Sequence, residues 1–96
     1  MAAYHNTQGV PAGGWALITS GAAANLTFQN QGRNYLLVQG SVGAVEPTST
    51  AGAIRYNPGQ GERNVVLAEL FPGISGVDQA WAWAEDAPGL ITSSHA

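Results

Sequence analysis

The stretch that most constrains this chain is Asn25 to Gly40, NLTFQNQGRNYLLVQG. Leu26 and Phe28 alternate with Asn25, Thr27 and Gln29, the period of a half-buried strand. Asn30-Gln31-Gly32-Arg33 reads as a turn, with Gly32 free to take the positive φ that hairpin turns need. Tyr35-Leu36-Leu37-Val38 then runs as a second strand rich in apolar and aromatic residues. An even loop sets Phe28 opposite Tyr35 and Leu26 opposite Leu37, so these four form the expected core face of a hairpin. Thr27, Leu36 and Val38 fall on the other face. That face is too apolar to be simply wet, which makes Leu36 and Val38 candidate interface residues.

Around this hairpin the chain repeats the same grammar. Trp15 to Thr19 reads as a first strand. Ala53 to Asn57 alternates, with Ile54 and Tyr56 on one face. Pro58-Gly59-Gln60-Gly61 is a turn; it lacks the G-K-[ST] ending of a phosphate loop. Arg63 to Leu70 is expected as a strand, its β-branched Val65-Val66 pair outweighing the helix-favouring Leu, Ala and Glu. Ser41 to Gly52 and Phe71 to Gly76 are loops, the second offering Phe71 and Ile74 as plugs for one end of the core. Gln79 to Ala84, QAWAWA, alternates with Trp81 and Trp83 on one side and Ala80, Ala82 and Ala84 on the other. Leu90 to Ser94 closes the chain. The sum is an all-β domain, a small antiparallel β-sandwich or jelly-roll-like barrel of about seven short strands separated by turn signals. Residues 1–14, MAAYHNTQGVPAGG, are polar and Gly-rich and read as a flexible arm; residues 15–96 form the single domain.

Charge narrows the function classes. Charged residues make 9% of the chain, against about 25% in ordinary soluble domains. There is no lysine, and Arg33, Arg55 and Arg63 stand against six acids for a net charge of −3. So few cations argue against a nucleic-acid partner. No apolar run is long enough for a membrane-spanning helix. The N-terminus lacks the basic-then-apolar pattern of a secretory signal. Without cysteine there is no disulfide framework. Charge depletion fits a surface shared with other subunits, because interface cores exclude charge and the edges of free β-proteins are usually guarded by it.

The residues that carry chemistry do not converge in the sequence. His5 and His95 lie beside the chain ends, the serines match no nucleophile elbow, and the carboxylates are scattered. No enzyme activity, metal or cofactor is expected. Asp78, Glu85 and Asp86 bracket the tryptophan strand but lack the alternating spacing of a calcium loop. The tryptophans remain. With only Phe28 and Phe71 as other large non-polar aromatics, Trp81 and Trp83 are expected to fill the core. Exposed instead, they and Trp15 make a sugar-stacking platform or an interface anchor.

In its opening strand with Trp15, the FQNQG segment at Phe28 to Gly32, the turn at Pro58-Gly59 and the WAWA strand at Trp81 to Ala84, the chain resembles small virion proteins of tailed bacteriophages and gene transfer agents. The resemblance spans about residues 15 to 94 and includes no catalytic motif. It implies a structural protein, made in the bacterial cytoplasm and located in the virion, that decorates a capsid or builds a head spike, fibre or adaptor. Its partners would be itself, as a homo-oligomer such as a trimer, and other virion proteins, with a host-surface glycan as a further ligand. The alternative is a carbohydrate-binding module using its surface tryptophans.

Overall fold

The computed structural model describes residues 4–95 of the chain. Among the described residues, eight strands form in chain order: β1 (Tyr4–Val10), β2 (Trp15–Leu17), β3 (Asn25–Asn30), β4 (Leu36–Ser41), β5 (Ile54–Tyr56), β6 (Gly61–Val66), β7 (Gln79–Ala84) and β8 (Gly89–His95). One helical turn, α1 (Leu67–Leu70), follows β6. The strands make two four-stranded antiparallel sheets, ordered β1-β8-β3-β6 and β2-β7-β4-β5. Every connection passes from one sheet to the other except that between β4 and β5. This is the strand order of an eight-stranded jelly roll.

The expected hairpin between residues 25 and 40 does not form. β3 pairs with β6 and β8, and β4 pairs with β5 and β7, so the two strands lie in opposite sheets. Asn30 is the physical reason. Its side chain is buried and fully used: Nδ2 donates to the carbonyls of Asn34 at 2.8 Å and Tyr56 at 3.0 Å, and Oδ1 accepts the Gly32 N–H at 2.9 Å. This cluster turns the chain through the end of the sandwich instead of back along its own sheet. Even-numbered residues therefore point inward on both strands. Leu26 and Phe28 face the core as expected, but so do Leu36 and Val38, which are fully buried. Tyr35 and Leu37 take the outer side, the reverse of the expected assignment.

Three further expectations are corrected. Residues 4–10 of the supposed arm form β1, paired through all seven positions with β8; residues 1–3 lie outside the described ones. β1 raises the strand number from about seven to eight. The segment Arg63 to Leu70 is a strand only to Val66, after which Leu67–Leu70 makes one helical turn closed by Phe71 N–H to Leu67 C=O at 2.9 Å. Finally, the inner face of β7 is made by Ala80, Ala82 and Ala84; Trp81 is buried as expected but on the outer side of the sheet, and Trp83 is only half-buried there. The small alanine face of β7 lets the other sheet approach closely.

The core joins Val10, Ile18, Leu26, Phe28, Leu36, Val38, Tyr56, Leu67 and Ile91. Phe71 and Val77 plug one end over Gly40, where a Cβ would sit 2.7 Å from Val77 Cγ2 and 2.8 Å from Phe71 Cδ2. Only glycine leaves room for that plug. The two inner faces and the outer faces can be told apart by mutation. Val38→Asp places a charge in the core and is expected to unfold the chain, at a cost of several kcal/mol in a domain with about 5–15 kcal/mol to lose. Leu37→Asp, one residue away on the outer face, is expected to cost about 1 kcal/mol and leave a cooperative thermal transition by circular dichroism. The opposite ranking would restore the hairpin.

Candidate functional site: the outer face of the second sheet

The alternation that sends alanines inward on β7 sends Gln79, Trp81 and Trp83 outward. The register then aligns side chains in rows across the sheet. Trp15 of β2 lies beside Trp83, Trp83 beside Leu37 of β4, and Leu37 beside Arg55 of β5. A second row sets Leu17 beside Trp81 and Trp81 beside Gln39. The Trp15 and Trp83 rings pack at a centroid distance of 5.2 Å with their planes tilted by 58°. At the other end of the row the Arg55 guanidinium lies 4.1 Å from the centre of the Tyr35 ring, a cation–π contact. Arg55 Nε also donates to Asn57 Oδ1 at 3.2 Å.

The two indoles of β7 are held differently. Trp81 is buried, and its Nε1 donates to Ser41 Oγ at 3.0 Å, while Ser41 Oγ donates to the Gly43 carbonyl at 2.7 Å. Gly43 N–H in turn donates to Asp78 Oδ1 at 2.8 Å. Trp81 is thus the fixed floor of the face. Trp83 is half-buried and donates from Nε1 to Glu85 Oε2 at 3.0 Å. Trp15, Leu17, Tyr35 and Leu37 are likewise half-buried. The result is a contiguous, partly exposed aromatic and aliphatic surface with polar groups only at its borders.

The opposite sheet contrasts with it. Its outer face carries Thr7, Thr27, Gln29, Thr92 and Ser94, with the Thr7 and Thr92 hydroxyls 2.7 Å apart and the exposed Leu90 at one end. At the far end of the sandwich, Val42 and Val45 are exposed beside an open groove of about 480 Å³ between loop 42–53 and Ile74. Its lining mixes Gln39, Glu46, Thr48 and Ser49 with Val42, Val45 and Ile74.

Of the residues singled out in the sequence, Trp15, Trp81 and Trp83 come together on this face, whereas Leu36 and Val38 lie in the core. The members that sequence reasoning missed are Leu17, Leu37, Tyr35 and Arg55. The signal that points to three of them is the small-residue alternation of QAWAWA, which sets the outward parity of β7 and, through the ladder, of its neighbours. Asp78 and Glu85 are engaged with separate donors, and among the described residues no three His, Asp or Glu side chains converge as a metal site. His95 is buried, with Nε2 accepting the Ser20 N–H at 3.0 Å and the ring against Tyr4. No family model, no curated protein and no solved structure matches the chain.

One titratable group stands out. Tyr56 lies inside the sandwich, its ring edge-on to Phe28 at 4.9 Å and its hydroxyl donating to Glu62 Oε2 at 2.9 Å. Burial, and then the Glu62 carboxylate, push its pKa well above the ordinary phenol value of 10.0. The folded state therefore holds this proton more tightly than the unfolded one. Stability from this group is complete below pH 10 and falls as pH rises above it, because the unfolded chain ionises first. Phenolate absorbance is expected to show one of the three tyrosines titrating late, together with alkaline unfolding. In Tyr56→Phe that late step is absent, and loss of the hydrogen bond costs about 1 kcal/mol at neutral pH.

Proposed function

We propose that this chain is a structural virion protein, a capsid decoration or a spike, fibre or adaptor component. It acts by self-association and by docking the aromatic face of β2-β7-β4-β5 on another virion protein. The observation that carries this reading is the unbroken row Trp15–Trp83–Leu37, half-exposed and uncharged in itself, with Glu85 on the Trp83 Nε1 and Arg55 beyond Leu37 as the charges at its border. Centres of protein interfaces are enriched in Trp, Tyr and Arg, depleted of acids and lysine, and rimmed by polar groups. The resemblance to small phage virion proteins and the charge-poor composition point the same way. The jelly-roll order adds an analogy, since capsid and lectin domains both use it, and fold alone decides nothing about function. The reading needs neither catalysis nor a cofactor.

A second reading, a carbohydrate-binding module, draws on the same tryptophans. Sugar stacking uses an open, flat ring face. Here the Trp15 and Trp83 rings pack on each other at 58°, so they do not form one plane, which favours docking. The two readings separate in one experiment. Trp83→Ala and Leu37→Asp are expected to stay folded yet fall by more than tenfold in their share of chain banding with particles on a density gradient of the producing cells' lysate, as for truncation of an interface anchor. Undiminished banding would reject the docking face. Saturable tryptophan fluorescence change with a glycan, lost in Trp83→Ala, would transfer the site to sugar.

A further inference from the structure

Four strands form the edges of this sandwich: β1 and β6 in one sheet, β2 and β5 in the other. Exposed edges are templates for further pairing, and free β-proteins blunt them by shortness, charge, proline or bulges. Three of the four edges here are blunted. β2 and β5 have three residues each. β6 is bulged: Leu26 pairs with Val65 and Phe28 with Glu62, leaving Arg63 and Asn64 opposite Thr27. Asn64 has φ 52° and its N–H donates to Thr27 Oγ1 at 2.8 Å, which bends that edge, and Glu62 and Arg63 charge it.

β1 has none of these guards. It runs seven residues in unbroken register with β8, from Tyr4↔His95 to Val10↔Gly89. It contains no Asp, Glu, Lys or Arg, and its first proline is Pro11, just beyond its end. His5, Asn6, Thr7 and Gly9 are exposed. The backbone groups on its free side form an open ladder about 20 Å long.

We propose that β1 is the self-association edge: it pairs antiparallel with β1 of a second copy about a two-fold axis through Thr7, fusing the two four-stranded sheets into one of eight strands. The strand is self-complementary in that register. Thr7 meets Thr7, Asn6 meets Gln8, His5 meets Gly9, and Tyr4 meets Val10. The three central residues set polar against polar, Gly9 leaves room for His5, Tyr4 aligns with the backbone of the buried Val10, and no Asp, Glu, Lys or Arg is opposed anywhere. Threonine pairs are favourable across strands, and this one extends the Thr7–Thr92 hydroxyl contact into a row of four across the junction. A two-fold perpendicular to the shared sheet leaves both second sheets on the same side. The two aromatic faces then point the same way, giving the pair a doubled docking surface. The edge is a different surface from the aromatic face, although the two meet where Gln8 Nε2 donates to the Leu17 carbonyl at 3.0 Å, and the inference gives the self-association of the proposed function its surface.

The chain has no cysteine, so single thiols report the register directly. Thr7→Cys places two thiols opposite each other across the axis, and mild oxidation is expected to link most of the chain as a dimer. His5→Cys lies on the same exposed edge, but its mate is four residues along, about 14 Å away, and is expected to stay unlinked. Thr7→Lys is expected to keep its circular dichroism and weaken the dimer at least about tenfold by light scattering at low salt, with recovery at 1 M salt as the opposed charges are screened. Leu37→Asp should leave the dimer mass unchanged while losing particle docking, so the two surfaces fail separately. A monomeric or trimeric native mass, or equal linking at positions 5 and 7, would overturn the two-fold β1 junction and leave the aromatic-face reading standing.

Discussion

The alternation of β7 governs this molecule. A central strand of a sandwich faces a gap of about 10 Å, shared with the side chains of the other sheet. Ala80, Ala82 and Ala84 take little of it, which leaves volume for Leu26, Phe28 and Ile91 from the opposite layer. Turning the strand over would put two indoles into that gap and three methyl groups outside. The pleat permits no compromise, because a shift of one residue moves every side chain to the other face. The tryptophans therefore take the outer side of the sheet for the sake of the core, Trp81 covered there and Trp83 half-exposed, and the aromatic face follows from the way the sheets pack.

That constraint is transmitted sideways. Hydrogen-bond register ties the outward parity of β7 to that of β2 and β4, so Trp15, Leu17 and Leu37 share the exposed side. The same parity sends Leu36 and Val38 inward to meet the opposite sheet. At the end of the sandwich, Asn30 fixes how the chain leaves one layer for the other. Beyond its side-chain bonds, its N–H donates to Gln60 C=O and its own C=O accepts the Gly59 N–H, both at 2.9 Å. One buried amide residue thus joins the β3–β4 turn to the β5–β6 turn, which makes the crossover a cooperative unit.

Much of this was legible in the sequence, and the failures share a cause. The positions of β2, β5 and β7, the breaks at Pro47, Pro58 and Pro88, and the plug made by Phe71 and Ile74 all follow from local pattern. What local pattern does not carry is which strands are neighbours. Asn-Gln-Gly-Arg between two apolar runs reads as a hairpin turn, and the pairing derived from it inverted the faces of β4. The buried role of Asn30 depends on Tyr56, a residue 26 positions away. β1 was hidden for the same reason: YHNTQGV is polar and contains glycine, and it becomes a strand because β8, at the far end of the chain, offers it a ladder. For the site, Trp15, Trp81 and Trp83 were visible as residues, but whether they were core or surface rested on counting large aromatics. The alanines opposite them were the better guide, since a stripe of small side chains on a central strand already says which side is crowded.

The low charge, a bulk property of the composition, acquires a location in the fold. Arg33, Glu46, Glu85 and Asp86 sit in the connections between strands, Glu69 lies on the helical turn, and Glu62 and Arg63 flank the bulge of β6. Among the described residues, the charged side chains that meet the aromatic face are Arg55, at the border against Tyr35, and Glu85, which reaches the Trp83 Nε1 from the β7–β8 turn. The β1 edge is left without charge, the outer face of the first sheet is largely polar through hydroxyls and amides, and the aromatic face meets charge only at its border. A freely dissolved sandwich has reason to place its few charges on those broad faces, where they discourage stacking and edge pairing. This chain instead spends them on the ends and on the one edge that is already bulged. The distribution guards the surfaces least able to pair and leaves unguarded the surfaces best able to, which fits the assembly role proposed above.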